Sequence, residues 1–137
     1  MSEANKAIVR RYFEEVFNKK VLAVLDDLIA SNFVGHTSTG TDVHGPEGVK
    51  QQVAMFSIAF PDMHYALEDL VAEGDKVVAR FTFRGTHRGE FLGIAPTGKR
   101  VTGTGTGTYR ITDGKMQDAW INRDIFGVLQ QLGVSFK

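Results

Sequence analysis

Apolar residues recur at helical spacing through the first half of the chain and at every second position through the second half. Ile8, Tyr12 and Val16 line up with Val9, Phe13 and Phe17, which predicts a helix running from Ser2, a good N-cap, to about Asn18. Val21, Val24, Leu25, Leu28 and Ile29 repeat that pattern in a second helix. A third is predicted from Pro46, a favoured first-turn residue, with Val49, Val53, Phe56 and Phe60 on one stripe before "FPD" stops it. From His64 onward the period is two. "HYALEDLVAEGDKVVARFTFRGTH" predicts two strands joined at Gly74 and Asp75. "VTGTGTGTYRITDGKMQDAWINRD" predicts two more joined by Asp113 and Gly114, a type I′ hairpin signal, and "FGVLQQLG" predicts a short closing helix. Helices first and an antiparallel sheet afterwards predict an α+β domain with helices packed on one face of a curved sheet. No linker or repeat interrupts the chain, so residues 1–137 are read as one domain.

The Thr/Gly strand raises a specific question, because one of its faces carries almost no side chains. If Asp113 and Gly114 form a two-residue loop, Gly107 falls opposite Trp120, Gly105 opposite Asn122 and Gly103 opposite Asp124. The glycines then clear space in front of a Trp, an amide and a carboxylate, and the threonines point the other way. A ligand hollow is one use of that arrangement; a bend in the strand, or close approach of a helix, is the other. A single bulge would shift the register and undo the pairing. In the preceding hairpin Val77, Ala79, Phe81, Phe83, Gly85 and His87 share a face, and Asp69 falls opposite Arg80. His64 is expected beside Gly85, so that His64 and His87 both mark the apolar wall, as binding groups or as satisfied core histidines. Glu68 falls on the side of Phe81, either as a second acid in the hollow or as a sign that the register is wrong.

Composition narrows the chemistry. The 137 residues carry 16 basic and 16 acidic side chains, 42% hydrophobic residues and no cysteine. That balance excludes a nucleic-acid footprint and a polybasic membrane patch, and the missing cysteines exclude disulfides, thiolate nucleophiles and cysteine-ligated metals. No apolar run approaches a membrane span, and the polar, acidic start is unlike a secretory signal, so the expected location is the cytoplasm. "GIAPTGKR" has the spacing of a phosphate loop, but Arg100 stands where Ser or Thr is required, Pro96 removes an amide donor, and a strand follows. His36, His44, His64 and His87 have no zinc-site spacing, so no metal is expected. With no Gly-x-Ser-x-Gly elbow and no dinucleotide fingerprint, what remains is side-chain acid/base chemistry in a pocket.

The segments "GTHRGEFLGIAPTGK" and Trp120-x-x-x-Asp124 with "LQQLG" resemble the SnoaL-like polyketide (ester) cyclases, within the superfamily named for nuclear transport factor two. "AIVRRYFEEVFNKK", "FVGH" and "GPEGVKQQV" extend the resemblance over nearly the whole chain. It implies a cone-shaped barrel of curved, mainly antiparallel sheet with three N-terminal helices around an apolar cavity, assembled as a homodimer. It also implies a cofactor-free intramolecular aldol closure with an aspartate as acid/base. That role maps to Asp124, with supporting roles for His87 and His36.

The site expected on these grounds comprises Asp124 and His87 as catalytic groups, and His36, His64, Phe81, Phe83, Gly105, Trp120 and Asn122 as substrate-binding groups. One carboxyl group can perform both proton transfers of an aldol closure if an apolar cavity lifts its pKa, while a histidine or Asn122 holds the enolate oxygen. Asp124 also precedes a helical run directly, where Asp is the usual N-cap. Two other functions remain open. An epoxide-hydrolase-like enzyme needs a second acid and an inward Arg, and Arg80, Arg84 and Arg110 all have outward parity. A non-enzymatic carrier of hydrophobic small molecules needs only the cavity. The expected partners are thus a small molecule and a second copy of the chain.

Overall fold

The computed structural model describes residues 2–135 and builds a curved six-stranded sheet with helices against its concave face. The elements are α1 (Ser2–Arg11, continued by a wider π-helical turn at Tyr12–Asn18), a 3₁₀ turn (Leu22–Val24), α2 (Leu25–Leu28), β1 (Ile29–Thr37), β2 (Asp42–His44) and α3 (Gly45–Ala59). They are followed by β3 (His64–Glu73), β4 (Lys76–Thr86), β5 (Arg100–Thr112), β6 (Lys115–Arg123) and α4 (Ile125–Gln131). The strand order is β2-β1-β6-β5-β4-β3, antiparallel throughout except for the β1/β6 pair. The α+β expectation holds, with four helices where three and a closing helix were predicted. The second predicted helix is shorter than expected, because Ile29 already starts β1.

Winding in the first helix follows from its sequence. The apolar residues repeat every four positions, and in an α-helix each step of four overshoots a full turn by about 40°. Widening the helix over Tyr12–Asn18 keeps the stripe aimed inward, and Tyr12, Phe13, Val16 and Phe17 are all buried. Asn18 then clamps the helix end to β3: its amide donates to the Tyr65 carbonyl at 2.9 Å and its Oδ1 accepts from the Tyr65 N–H at 2.8 Å. The result is an aromatic core in which Phe13 meets Phe81 at 5.3 Å and Tyr65 meets Phe83 at 5.2 Å between centroids.

Both predicted two-residue hairpin loops form. Asp113 and Gly114 have φ of 54° and 75°, as a type I′ turn requires, and Glu73 pairs with Lys76 around Gly74. Beyond the loops, however, each hairpin carries a one-residue bulge. Ile111 pairs with Met116 but Arg110 pairs with Asp118, leaving Gln117 extra; Leu67 pairs with Phe81 but Asp69 pairs with Arg80, leaving Glu68 extra.

Those two residues overturn half of the expected faces. Trp120 pairs with Thr108 and Asn122 with Thr106, so both belong to the outer, threonine face; His64 pairs with Arg84 and is exposed there. Glu68 accepts a hydrogen bond from the Thr82 hydroxyl at 2.8 Å on the same face. Ala119, Ile121 and Arg123 occupy the concave side instead.

The outer face carries one row that crosses the whole sheet: Val71, Val78, Thr108, Trp120, His36 and Asp42, each paired to the next. His36 stacks on Trp120 at 5.8 Å and bonds Asp42 at 3.1 Å. Ion pairs Asp69–Arg80 and Arg110–Asp118 flank the row on either side.

Candidate active site

The glycines of β5 do not leave a hollow. A Cβ at Gly105 would strike the Phe81 ring, at Gly103 it would lie 2.8 Å from Val128 Cγ2, and at Gly107 it would lie 2.7 Å from the Tyr109 hydroxyl. Each glycine is a seat for a neighbouring side chain, and the close approach of α4 is the alternative use of glycine that the sequence left open. Gln131 fixes α4 there, accepting from the Thr102 N–H at 2.8 Å and donating to the Thr102 carbonyl at 2.7 Å.

With those seats filled, the depth of the cone is packed with rings, and only about 20 Å³ remains between Phe56, Phe60, Tyr65, Phe81, Phe83 and Phe91. That is room for roughly one water. The space widens past Phe56, Phe91, Arg123 and Ile125 into a mouth of about 610 Å³ between α3 and the turn that joins β1 to β2. The mouth mixes polar groups such as Thr39, His44 and Gln52 with apolar Val43, Met55 and Leu92. A drug-sized ligand fits the mouth, with Arg123 in its floor.

Arg123 is the residue that the expected register hid. Its Cζ lies 5.1 Å from the Phe56 ring centroid and 6.0 Å from that of Phe81. Its Nε is buried with no hydrogen-bond partner, while the residue as a whole stays partly open because it lines the cavity. Its backbone is tied to the mouth through the Ser38 hydroxyl, which accepts from its N–H at 3.2 Å. Around the guanidinium stand three buried phenols, Tyr12, Tyr65 and Tyr109. Burial pushes the pKa of Tyr12 and Tyr109 up, more than the nearby Arg123 charge pulls them down, so both are neutral hydroxyls. Burial opposes the Arg123 charge as well, but the phenols, Tyr65 foremost, outweigh it and hold its pKa above the ordinary arginine value.

Asp124 stands at the rim, in the wall of the inner space beside Arg123. Its Oδ1 accepts the Gly127 N–H at 2.9 Å and so caps α4, while Oδ2 has no protein donor among the described residues. The carboxylate is exposed, which matches the helix cap and not the desolvated acid, the two environments the sequence left open for it. The cap accounts for this, since it turns the side chain towards the start of α4.

The other expected site residues divide clearly. Phe81 and Phe83 line the inner space as predicted. His87 is fully buried but faces Phe60 at 5.7 Å, away from the mouth. The Thr97 N–H donates to its Nδ1 at 3.2 Å, which leaves the ring proton on a buried, unpartnered Nε2. The Gly98 N–H donates to the His87 carbonyl at 2.8 Å, so His87 latches the loop that carries Phe91. Asp62 braces the neighbouring residue: it accepts from the Thr86 hydroxyl and N–H, which hold its carboxyl below the usual carboxylate range. His36, His64, Trp120 and Asn122 lie on the outer face, outside the cavity. Among the described residues no three His, Asp or Glu side chains converge as a metal-ligand set, and no helix is long and apolar enough to cross a membrane.

Residues 7–132 match the SnoaL-like polyketide cyclase family, and the chain belongs to that family. It is 33% identical over 94 residues to the aklanonic acid methyl ester cyclase DnrD of Streptomyces peucetius, an alignment that spans 67% of this chain and 64% of that protein. With the nogalonic acid methyl ester cyclase of Streptomyces nogalater it shares 30% identity over 111 residues, 80% of this chain and 83% of the other. The crystal structure of IdmH from Streptomyces antibioticus, a candidate polyketide cyclase, superposes with a TM-score of 0.83 at 33% identity, over 95% of this chain and 99% of that one.

Proposed function

We propose that this protein closes a ring in a polyketide-type carbonyl ester by cofactor-free acid/base catalysis at the mouth of the cone. The observation that carries the reading is a carboxylate with one free oxygen, Asp124 Oδ2, beside a ring-lined cavity that ends at the half-buried Arg123. In this scheme Asp124 takes the proton α to a carbonyl, the C–H pair becomes an enolate, and the enolate carbon attacks a second carbonyl within the same molecule. Asp124 then returns its proton to the new alkoxide. Atoms and charge balance, and the net change is an isomerisation. A ligand that reaches from the mouth past Arg123 and Ile125 meets Asp124 in the adjoining wall, where its apolar body displaces water from the carboxylate.

Sequence parity argued against a water-activating hydrolase because no Arg pointed inward, and Arg123 removes that argument. The second acid such a site needs is still lacking beside it. At the mouth Asp42 is engaged with His36 at 3.1 Å and Glu47 with Lys50 at 3.1 Å, both at the surface. Ring closure is therefore the better-supported reaction. Incubation with aklanonic or nogalonic acid methyl ester should yield ring-closed product of unchanged mass and a single stereoisomer, resolved by chiral chromatography. Saturable binding of both esters without conversion would replace this reading with the carrier.

A further inference from the structure

We infer that Arg123 is an anion subsite, and that the cavity takes its ligand through two coplanar oxygens sharing one negative charge, as in a carboxylate or the enolate of a β-dicarbonyl. The inference rests on the mouth being the ligand site and adds the charge and shape of the group that enters first.

Among the described residues no carboxylate pairs with Arg123. The neighbouring Asp124 is turned to the Gly127 amide, and the remaining ion pairs of the fold are elsewhere. Arginine does not shed its proton, so a permanent charge stands in the wall with its Nε out of water and unpartnered. The groups packed around it do not supply the missing charge. Phe56 and Phe81 offer ring faces, Tyr65 offers a phenol whose contact favours the charged guanidinium but is no counter-ion, and the phenols of Tyr12 and Tyr109 stay neutral because burial disfavours their ionisation. A desolvated cation is costly to a fold and is ordinarily paired. Arg123 also lines the mouth, from which an anion can reach its guanidinium.

The chemistry of the partner follows from the shape of the guanidinium. Its planar fork matches two oxygens in one plane and holds them bidentately, which a lone alkoxide or a carbonyl cannot exploit. Phe56 and Phe91 at the same junction favour a flat, conjugated body behind those oxygens. On the proposed reaction, the enolate formed from a β-dicarbonyl has this shape and charge, and Arg123 would hold it as it forms.

Two isosteres test the assignment without requiring turnover. Isothermal titration of the wild-type protein with 2-naphthoate and with 2-naphthamide should show the carboxylate binding at least about tenfold tighter. Arg123→Gln should reduce the ratio to near one, and Arg123→Lys, which keeps the charge but not the fork, should fall between. Equal affinities in the wild type, no saturable binding of the carboxylate, or a preference that survives Arg123→Gln would each overturn the anion subsite. Because ring closure is not read, a protein that fails to convert either ester can still pass, and one that converts both can still fail.

Discussion

Asp124→Asn is expected to lower ring-closing turnover by about 10²–10⁴-fold while leaving the fold and ligand affinity nearly unchanged. The two roles of Asp124 separate at this substitution. Asparagine caps a helix as well as aspartate does, so the hydrogen bond from the Gly127 N–H survives, but an amide cannot shuttle a proton. Asp124→Ala removes both, and should add a loss of about 1 kcal/mol of stability to the same loss of turnover. Single-turnover rates and thermal midpoints of the two variants provide the check. If Asp124→Asn retains wild-type turnover, Asp124 is a cap only and the acid/base must be another group.

Arg123→Met, by contrast, is expected to make the ligand-free protein more stable, raising its midpoint by about 3–8 °C. Methionine fills much of the same volume, can lie against the same rings and requires no counter-charge. The cation–π contacts over Phe56 and Phe81 are worth about 0.5–2 kcal/mol each, whereas holding a charge out of water without a partner costs several kcal/mol. Calorimetry on the ligand-free variant decides between the two. A lower midpoint would mean that Arg123 serves the fold and that its open side needs no ligand. A higher midpoint together with lost naphthoate binding is the pattern of a group kept for function at the expense of stability.

How much of this could be read in the sequence depends on two polar pairs. The period of each element, the two hairpin loops and the inward set of β4 were legible, because local spacing and turn chemistry determine them. What failed was register. Both bulges sit at a polar doublet, Glu68–Asp69 and Gln117–Asp118, where the alternation of apolar residues stretches from two positions to three: Leu67 to Leu70, and Met116 to Ala119. In each doublet the second residue makes a cross-strand ion pair, with Arg80 and with Arg110. That stutter was the available signal. Had it been applied, it would have turned Trp120 and Asn122 outward and Arg123 inward. The seats above Gly103, Gly105 and Gly107 were not legible in the same way, since the side chains that fill two of them come from other elements and Tyr109 folds back over its own strand. His87 likewise lies on the predicted face, but tertiary packing puts it behind Phe60 and outside the cavity.

The central claim is that the working site lies inside the cone at Arg123 and not on the outer face where Trp120 stands. The chain contains one tryptophan, so the two faces can be watched in a single experiment. Titrating ¹⁵N-labelled protein with 2-naphthoate should move the Arg123 Nε–H resonance saturably and leave the Trp120 indole N–H where it was. A saturable shift of the Trp120 indole with Arg123 unmoved would place the ligand on the threonine face and contradict the account.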